Sequence, residues 1–266
     1  MTAKESPAND FIDRLGGPLG ELWRTLGEIF VLLGRTIRTA AEESSDRREV
    51  VRQLYDMGVR SLLFIAVTLG VLGMISLYQG CTQVERILPD FSRAGATYLA
   101  TLVREFGPVI CGLMVATRTG SAIAAQVGSM VVTEQVDALR MCNTDPVRYL
   151  VVPRFLAGGP MLLVLTIFGV FISFFAGMLT ARIGWEVPYS TYINLSMVHL
   201  DDVVMGVLKS LSFGYAIPII AAHAGLSAHG GSEGVGAATT RSVVNCSFAV
   251  IVLDFMISSG SYLLVN

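Results

Sequence analysis

Charged side chains interrupt a long apolar stretch before the middle of the chain. Arg104 and Glu105 lie side by side near its start, and Arg118 follows further along. A helix in a lipid bilayer avoids charge, so the charges that it retains commonly mark a functional site or an ion pair between helices. The paired N–H donors of an arginine also suit a phosphate group. These residues are therefore the first candidates for a functional site.

The composition indicates an integral membrane protein. Of the 266 residues, 53% are hydrophobic and 15% are charged, and the mean hydropathy is +0.61. A soluble domain carries about 25% charged residues. The length accommodates about five membrane spans with their loops. The net charge of −2 gives no reason to expect a nucleic-acid partner. Four scattered cysteines in or near apolar segments are expected to be free, buried thiols.

The N-terminal region has the pattern of an amphipathic helix. Apolar residues recur at steps of three or four from Phe11 to Ile37, and Trp23 is typical of membrane interfaces. The pattern favours a helix that lies in the membrane interface, with a soluble helix packed on a partner as the alternative. We interpret residues 1–58 as a polar tail, this helix and a charged linker, and residues 59–266 as one membrane domain.

Five apolar segments predict an all-α membrane protein with five transmembrane helices. They are 61–84, a segment from about residue 97, 155–181, about 203–225 and about 242–265. Pro108 is expected to kink the second helix near Arg104 because proline removes a backbone donor. Arg118 and Asp254 are expected to be internal charged anchors that each need a polar partner. Residues 225–236 are predicted to form a flexible, glycine-rich loop.

A short charged helix is predicted between the second and third spans, over residues 133–141. Thr133 suits its N-cap, and Glu134 and Asp137 lie in its first turn, where the helix dipole favours negative charge. Asp145-Pro146 is a strong start signal for the next helix. Most of the 19 Lys and Arg residues lie on the side of this helix and of the N-terminus. The positive-inside rule therefore places both in the cytoplasm and the C-terminus outside.

The usual signatures of an enzyme are missing from the sequence. Only Lys4 and Lys209 are lysines and neither follows a glycine, so there is no P-loop, and no G-x-S-x-G or H-E-x-x-H occurs. The histidines are too scattered to indicate a metal site. We therefore expect no enzyme, cofactor or metal, although an intramembrane enzyme that uses Glu105 or Asp254 stays an alternative.

Several ordered runs of residues resemble the MlaE family, the permease subunits of ABC lipid transporters that work with MCE-domain proteins. They are Glu105-Phe-Gly-Pro-Val109, Arg118-Thr-Gly-Ser-Ala-Ile-Ala-Ala-Gln-Val-Gly128, Val132-Thr-Glu-Gln-Val-Asp-Ala-Leu139, Asp145-Pro-Val-Arg-Tyr-Leu-Val-Val-Pro-Arg154, and Gly230-Gly-Ser-Glu-Gly-Val-Gly236. The resemblance covers about residues 55–266. The chain departs from the family pattern at Gln126, where Glu is frequent, and over residues 140–143.

The resemblance implies a homodimer in a bacterial inner membrane. It also implies two cytoplasmic ATPase subunits, which would hold the ATP and magnesium, a STAS-domain protein, and a periplasmic ring of MCE-domain proteins. The cargo would be a phospholipid or a related lipid that moves between the inner and outer membranes. Alternative interpretations are a secondary carrier that needs no ATPase and a membrane scaffold for the MCE ring.

The predicted sidedness and the chemistry of the side chains suggest roles for individual residues within such a transporter. We expect two groups, a lipid-binding set and a set that couples the permease to its ATPase. The lipid-binding set is Arg104 and Glu105, with Leu72, Ile75 and Tyr78 of the first span as a cavity wall. The coupling set is Thr133, Glu134, Gln135, Asp137 and Leu139. The alternatives are a structural ion pair or snorkelling side chains at Arg104 and Glu105, ordinary helix packing in the first span, and a plain surface turn at residues 133–141.

Overall fold

The computed structural model is built from helices. It describes residues 7–42, 46–87, 91, 93–194 and 196–265, with the side chains of 7–22, 87, 264 and 265 left aside, and this part of the chain contains no β-strand. The helices are α1 (Pro7–Glu42), α2 (Arg47–Ile87), α3 (Ala94–Thr101), α4 (Gly107–Val115), α5 (Ser121–Val132), α6 (Gln135–Met141), α7 (Val152–Trp185), α8 (Tyr189–Tyr192), α9 (Leu200–Leu226) and α10 (Gly231–Val265).

Five helical segments are long and apolar enough to cross a membrane, which confirms the predicted five spans. The spans are Arg47–Arg86, Ala94–Val132, Val147–Trp185, Leu200–Leu226 and Gly231–Leu263. The second span consists of α3, α4 and α5, joined by π-helical turns at Leu102–Phe106 and Ala116–Gly120. A third π-helical turn, Val147–Val151, leads into α7. The chain is therefore a multi-pass membrane protein.

The loop before the last span is shorter than the sequence suggested. Helix α10 begins at Gly231, so most of the predicted flexible segment 225–236 is helical. Gly230 and Gly231 have φ angles of 86° and 77°, which only glycine adopts readily. Residues 227–230 connect α9 to α10, and Gly234 and Gly236 lie within α10.

Helix α1 lies against the same end of the bundle as α6, which we call the α6 end. Arg35 donates to the carboxylate of Asp145 at 3.0 Å, and Glu28 lies 3.1 Å from Nε2 of His223. The hydrogen bonds from His223 and Arg24 lower the pKa of the exposed Glu28 carboxyl group. Trp23, in contrast, is exposed. An amphipathic helix is thus present where the sequence predicted one, and its place in the membrane interface stays a prediction.

Two apolar clusters hold the spans together. The larger cluster joins Ile65 and Leu69 of α2 to side chains of α7 and α9, among them Leu162, Leu165 and Phe213. The smaller cluster lies near α8, at what we call the α8 end, and is centred on Tyr192, whose hydroxyl group donates to the carbonyl oxygen of Phe174. The cysteines are free as predicted, but Cys142 is exposed at the end of α6 and only the other three are buried.

Helices α7 and α9 approach each other most closely at a pair of glycines. A Cβ atom on Gly158 would lie 2.3 Å from the carbonyl oxygen of Gly214, and a Cβ on Gly214 would lie 2.6 Å from that of Gly158. Small residues at such a crossing let two membrane helices pack backbone against backbone. No side chain fits between them without moving one helix.

We expect Gly158→Ala to destabilise the chain by about 1–3 kcal/mol, because overpacking forces α7 and α9 apart. Gly184→Ala is the matched control in the same helix, since a Cβ there meets nothing within 4 Å. The measurement is the midpoint of thermal unfolding of both purified variants in detergent. Equal midpoints for the two variants would contradict the close crossing of α7 and α9.

Candidate functional site

The first π-helical turn carries the charged pair that the sequence singled out. The backbone N–H of Gly107 donates to the carbonyl oxygen of Leu102, five residues back. Pro108 has no N–H to offer the carbonyl of Arg104, so the regular α-helical pattern cannot continue there. The structure therefore has a wide turn where the sequence predicted a kink, and a change of helix direction there stays a prediction. Such turns are frequent at functional sites because they redirect side chains.

Glu105 belongs to a buried charge cluster that joins three spans. The ammonium group of Lys209 on α9 is fully buried and forms a short ion pair with the Glu105 carboxylate. The same nitrogen lies 2.8 Å from Oδ1 of Asp254 on α10. The hydroxyl group of Ser258 donates to the other oxygen of Glu105 at 3.2 Å. We call Glu105, Lys209 and Asp254 the central ion cluster.

The members of the central ion cluster lie at the same depth. Glu105, Lys209 and Asp254 are 11, 9 and 9 residues from the ends of their spans at the α8 end. At 1.5 Å per residue these separations are about 14–17 Å along the helices, roughly half the thickness of a hydrocarbon core of about 30 Å. An isolated charge at that depth costs several kcal/mol, which the pairing of opposite charges offsets.

Arg104 points away from the central ion cluster. Its Nη1 lies 3.3 Å from Oδ1 of Asp202, whose other oxygen accepts a hydrogen bond from the backbone N–H of His199 at 3.0 Å. Asp202 is buried in the first turn of α9, while 42% of the Arg104 side chain remains exposed. Asp202 thus fixes one edge of the guanidinium group and leaves other N–H donors available. Arg104 and Glu105 are adjacent in sequence but pair with different residues, Asp202 and Lys209.

The two predicted internal anchors do not meet each other. Arg118 lies in the second π-helical turn and donates from Nη1 to the hydroxyl oxygen of Ser61 on α2, at 2.7 Å. Asp254 pairs with Lys209 in the central ion cluster. Each anchor therefore has a polar partner on another span, as the cost of burying a charge requires.

A deep apolar groove lies beside Arg104. Its volume is about 490 Å³, and it runs between the second, third and fourth spans near the α8 end. Val103, which directly precedes Arg104, forms part of its wall. The groove is lined chiefly by aliphatic and aromatic side chains, including Phe171, Phe174 and Phe175. Thr166 and Ser210 also line it, and the Ser210 hydroxyl group donates to that of Thr166 at 3.2 Å.

The predicted cavity wall on the first span lies elsewhere. Leu72, Ile75 and Tyr78 are on α2 and do not line this groove. Leu72 is half-buried and Ile75 is exposed, while the Tyr78 ring is exposed on one side and contacts Trp185 at 5.3 Å between centroids. They form an apolar surface of α2 that faces away from the bundle, and their role in lipid binding stays a prediction.

Helix α6 is attached to the bundle by one face and exposes the other. Val136 is buried in the larger apolar cluster and Leu139 is half-buried against it. The side chains of Glu134, Gln135 and Asp137 are exposed. Beyond them, 89% of Met141 is accessible at the end of the helix.

The start of α6 differs in detail from the prediction. Thr133 does not cap it, because its hydroxyl group donates to the carbonyl oxygen of Ser129 in the preceding helix. The residue before α6 is Glu134, in a left-handed conformation with φ of 59°. Asp145 does cap the following helix, as predicted, since its carboxylate accepts a hydrogen bond from the N–H of Val147 at 3.1 Å.

Lys209 is the functional candidate that sequence reasoning missed. Lys209 is the sole Lys, Arg, Asp or Glu in the predicted fourth span, 203–225. Asp254 is likewise the sole one in the predicted fifth span, 242–265. Two isolated charges of opposite sign in different spans usually pair with each other, so this pattern could have predicted the contact. Among the described residues, no group of three or more His, Cys, Asp and Glu is placed to hold a metal ion.

We expect Lys209→Met to destabilise the chain by roughly 3–5 kcal/mol, because it leaves two buried carboxylates without a cation. The triple variant Glu105→Gln/Lys209→Met/Asp254→Asn removes all three charges and is expected to recover most of that loss. The midpoint of thermal unfolding in detergent distinguishes the variants. Equal stability of the single and the triple variant would show that Lys209 does not neutralise the two acids.

Comparison with known proteins identifies relatives along almost the whole chain. Residues 50–259 match the family model described as Permease MlaE. A probable ABC transporter permease protein of Rickettsia felis is 37% identical over 211 residues, which cover 79% of this chain and 81% of that protein. The intermembrane phospholipid transport system permease protein MlaE of Haemophilus influenzae is 33% identical over 257 residues, covering 94% of this chain and 97% of that protein.

A plant relative extends the comparison beyond bacteria. Protein TRIGALACTOSYLDIACYLGLYCEROL 1, chloroplastic, of Arabidopsis thaliana is 32% identical over 248 residues, which cover 91% of this chain and 69% of that protein. The family match includes the π-helical turns, α6 and all members of the central ion cluster. The chain, with its five spans, therefore belongs to the MlaE permease family.

Proposed function

We propose that the chain is the permease subunit of an ABC transporter that moves phospholipid or a related lipid between the inner and outer membranes. The observation that carries this proposal is the family match over residues 50–259 on a fold with five membrane spans. The Haemophilus relative is named an intermembrane phospholipid transport permease. The other bacterial relatives compared are named ABC transporter permeases, a non-enzymatic role.

The energy for transport comes, in this proposal, from ATP bound with magnesium on a separate ATPase subunit. Helix α6 is the segment suited to contact it. Val136 anchors the helix to the core while Glu134, Gln135 and Asp137 stay accessible. A short helix that is held rigidly on one side passes movement from a partner into the span that precedes it. The accessible Met141 adds an apolar contact to this surface.

Arg104 is the residue best placed to hold the phosphate of a lipid. Its guanidinium group is oriented by Asp202 and partly exposed, and the apolar groove beside it can accommodate an acyl chain. Glu105 acts by positioning, because its carboxylate is engaged by Lys209 and Ser258. The accessible apolar surface of α2 with Leu72, Ile75 and Tyr78 forms a further cavity wall once a second copy is present.

The permease works in this proposal as a homodimer in the inner membrane. Helix α10 is suited to contact a partner copy. In the most apolar part of its span 11% of the residues are buried within the chain, against 56% in α9. Phe248, Ile251 and Phe255 are exposed on it. The N-terminus and α6 face the cytoplasm, where a STAS-domain protein joins the ATPase. A ring of MCE-domain proteins receives or supplies lipid at the α8 end.

The coupling role is tested by reversing one charge on α6. Glu134→Lys is expected to lower lipid-stimulated ATP hydrolysis by the co-purified complex by at least about tenfold, because like charges at an interface oppose binding. Glu186→Lys is the matched control at the opposite end of the bundle. Both residues are exposed glutamates at a helix boundary with positive φ, 59° and 53°. Equal activity of the two variants would rule α6 out as the ATPase contact.

The lipid-binding role is tested at Arg104. Arg104→Gln is expected to lower the amount of co-purified phospholipid several-fold, because an amide cannot replace charged, paired donors to a phosphate. Asp202→Asn is the control, since it weakens the ion pair but keeps the guanidinium group. Mass spectrometry of lipid extracted from both variants gives the answer. Loss of lipid in Asp202→Asn alone would mean that the pair is structural and that Arg104 does not bind the cargo.

A further inference from the structure

Arg118 differs from Arg104 because it has no acidic partner among the described residues. Within the described part of the chain, Arg118 donates one side-chain hydrogen bond, to Ser61, and no carboxylate lies within 4.0 Å of its guanidinium group. A guanidinium group has five N–H donors, so most of them remain to be satisfied. Arg118 is half-buried. A partly desolvated cation in this state attracts an anion.

The free side of Arg118 opens into a polar crevice between α2 and the second span. The crevice has a volume of about 110 Å³ and is lined by Arg118, Arg60, Asp56, Gln53 and Gln126, with small and apolar side chains below them. We call it the Arg118 crevice. It is separate from the apolar groove, which lies near the opposite end of the bundle and shares no residue with it.

The depth of the Arg118 crevice matches the headgroup layer of a bilayer. Arg60 is the last charged residue before the uncharged run 61–84 of the first span, and Arg118 contacts the first residue of that run. A run of that length spans the hydrocarbon core of about 30 Å. The crevice therefore lies where the hydrocarbon ends, at the α6 end of the bundle.

The charge of the lining favours an anion. Arg118 and Arg60 carry two positive charges, and Asp56 carries one negative charge and pairs with Arg60 at 3.5 Å. Behind the crevice, the buried guanidinium group of Arg154 donates to the side-chain oxygen of Gln126 at 3.2 Å, and its Nε has no hydrogen-bond partner. Glu49, the other nearby acid, is engaged by Gln53 and Arg52. The crevice therefore has an excess of positive charge and an available arginine, and both suit a phosphate.

We propose that the Arg118 crevice binds the phosphate of an anionic phospholipid from the leaflet at the α6 end. The guanidinium groups of Arg118 and Arg60 hold the phosphate oxygens, and the amides of Gln53 and Gln126 lie beside it. The acyl chains extend along the accessible apolar surface of α2, where Leu63 and Val67 are exposed just beyond Arg60. This site is distinct from the one proposed at Arg104 and does not depend on ATP or on transport.

The test is binding of phosphatidylglycerol to the delipidated chain in detergent, measured by native mass spectrometry. Arg118→Gln is expected to raise the apparent Kd for one bound lipid by at least about tenfold, the usual effect of losing a hydrogen bond to a charged group. Arg182→Gln makes the same change of charge at the α8 end and is expected to leave that binding intact. Equal Kd values for Arg118→Gln and the unmodified chain would overturn the proposal.

A second variant guards against loss of binding through misfolding. Asp56→Asn removes the one negative charge of the crevice and is expected to tighten phosphatidylglycerol binding, which a damaged protein would not do. Weaker or unchanged binding in Asp56→Asn would contradict the proposed phosphate contact. Arg104→Gln removes the contact proposed at the apolar groove, so the lipid that this variant still binds is the one assigned to the Arg118 crevice. Failure of the Arg118 site and failure of the proposed transport function are thereby separable.

The source of the phosphate is distinguished by a parallel titration with inorganic phosphate. If the Arg118 crevice recognises a lipid headgroup, millimolar inorganic phosphate is expected to leave the bound phosphatidylglycerol in place, because the acyl chains add apolar contacts that the free ion lacks. Displacement of the lipid by inorganic phosphate, with loss of phosphate binding in Arg118→Gln, would show that the site takes a soluble anion and would overturn the assignment to a lipid.

Discussion

The buried ammonium group of Lys209 imposes the constraint on which the arrangement of the spans depends. A fully buried cation in a membrane span needs carboxylates in direct contact, because they offset its cost of desolvation. Glu105 and Asp254 supply them from two other spans, so the second, fourth and fifth spans must meet at one depth and with one rotation. The π-helical turn Leu102–Phe106 places Glu105 where it reaches Lys209, and the glycine crossing of α7 and α9 then positions the third span.

The same turn separates two neighbouring charges into different tasks. Glu105 belongs to the central ion cluster, while Arg104 pairs with Asp202 and directly follows Val103 of the groove wall. Adjacent residues of a regular α-helix also point about 100° apart, and the missing N–H donor of Pro108 favours the wide turn at this position. The phosphate-binding candidate is thereby held by a structural ion network rather than by a mobile loop.

Much of the architecture followed from the sequence because it depends on local properties. The lengths of the apolar runs predicted the five spans, Pro108 predicted a break in the regular helix near Arg104, and Asp145-Pro146 predicted the start of the third span. The partners of the buried charges did not follow, because they depend on how each helix is rotated about its axis. Hydrophobic periodicity is weak in helices that are apolar all round. The contacts of Lys209 with Glu105 and Asp254, and the bond between Arg118 and Ser61, therefore became visible only in the structure.

The most direct test of the central ion cluster is a solid-state NMR distance measurement in lipid bilayers. The chain has two lysines, Lys4 and Lys209, so 15N-lysine labelling with a Lys4→Arg substitution observes Lys209 alone. Combined with 13C labels on the side-chain carboxyl groups of Asp and Glu, the 15N signal reports whether acids touch the ammonium group. We expect a charged amine whose 15N signal is strongly dephased by two carboxyl carbons. Glu105→Gln and Asp254→Asn are each expected to remove one part of this dephasing. A neutral amine, or one without dephasing, would contradict this expectation.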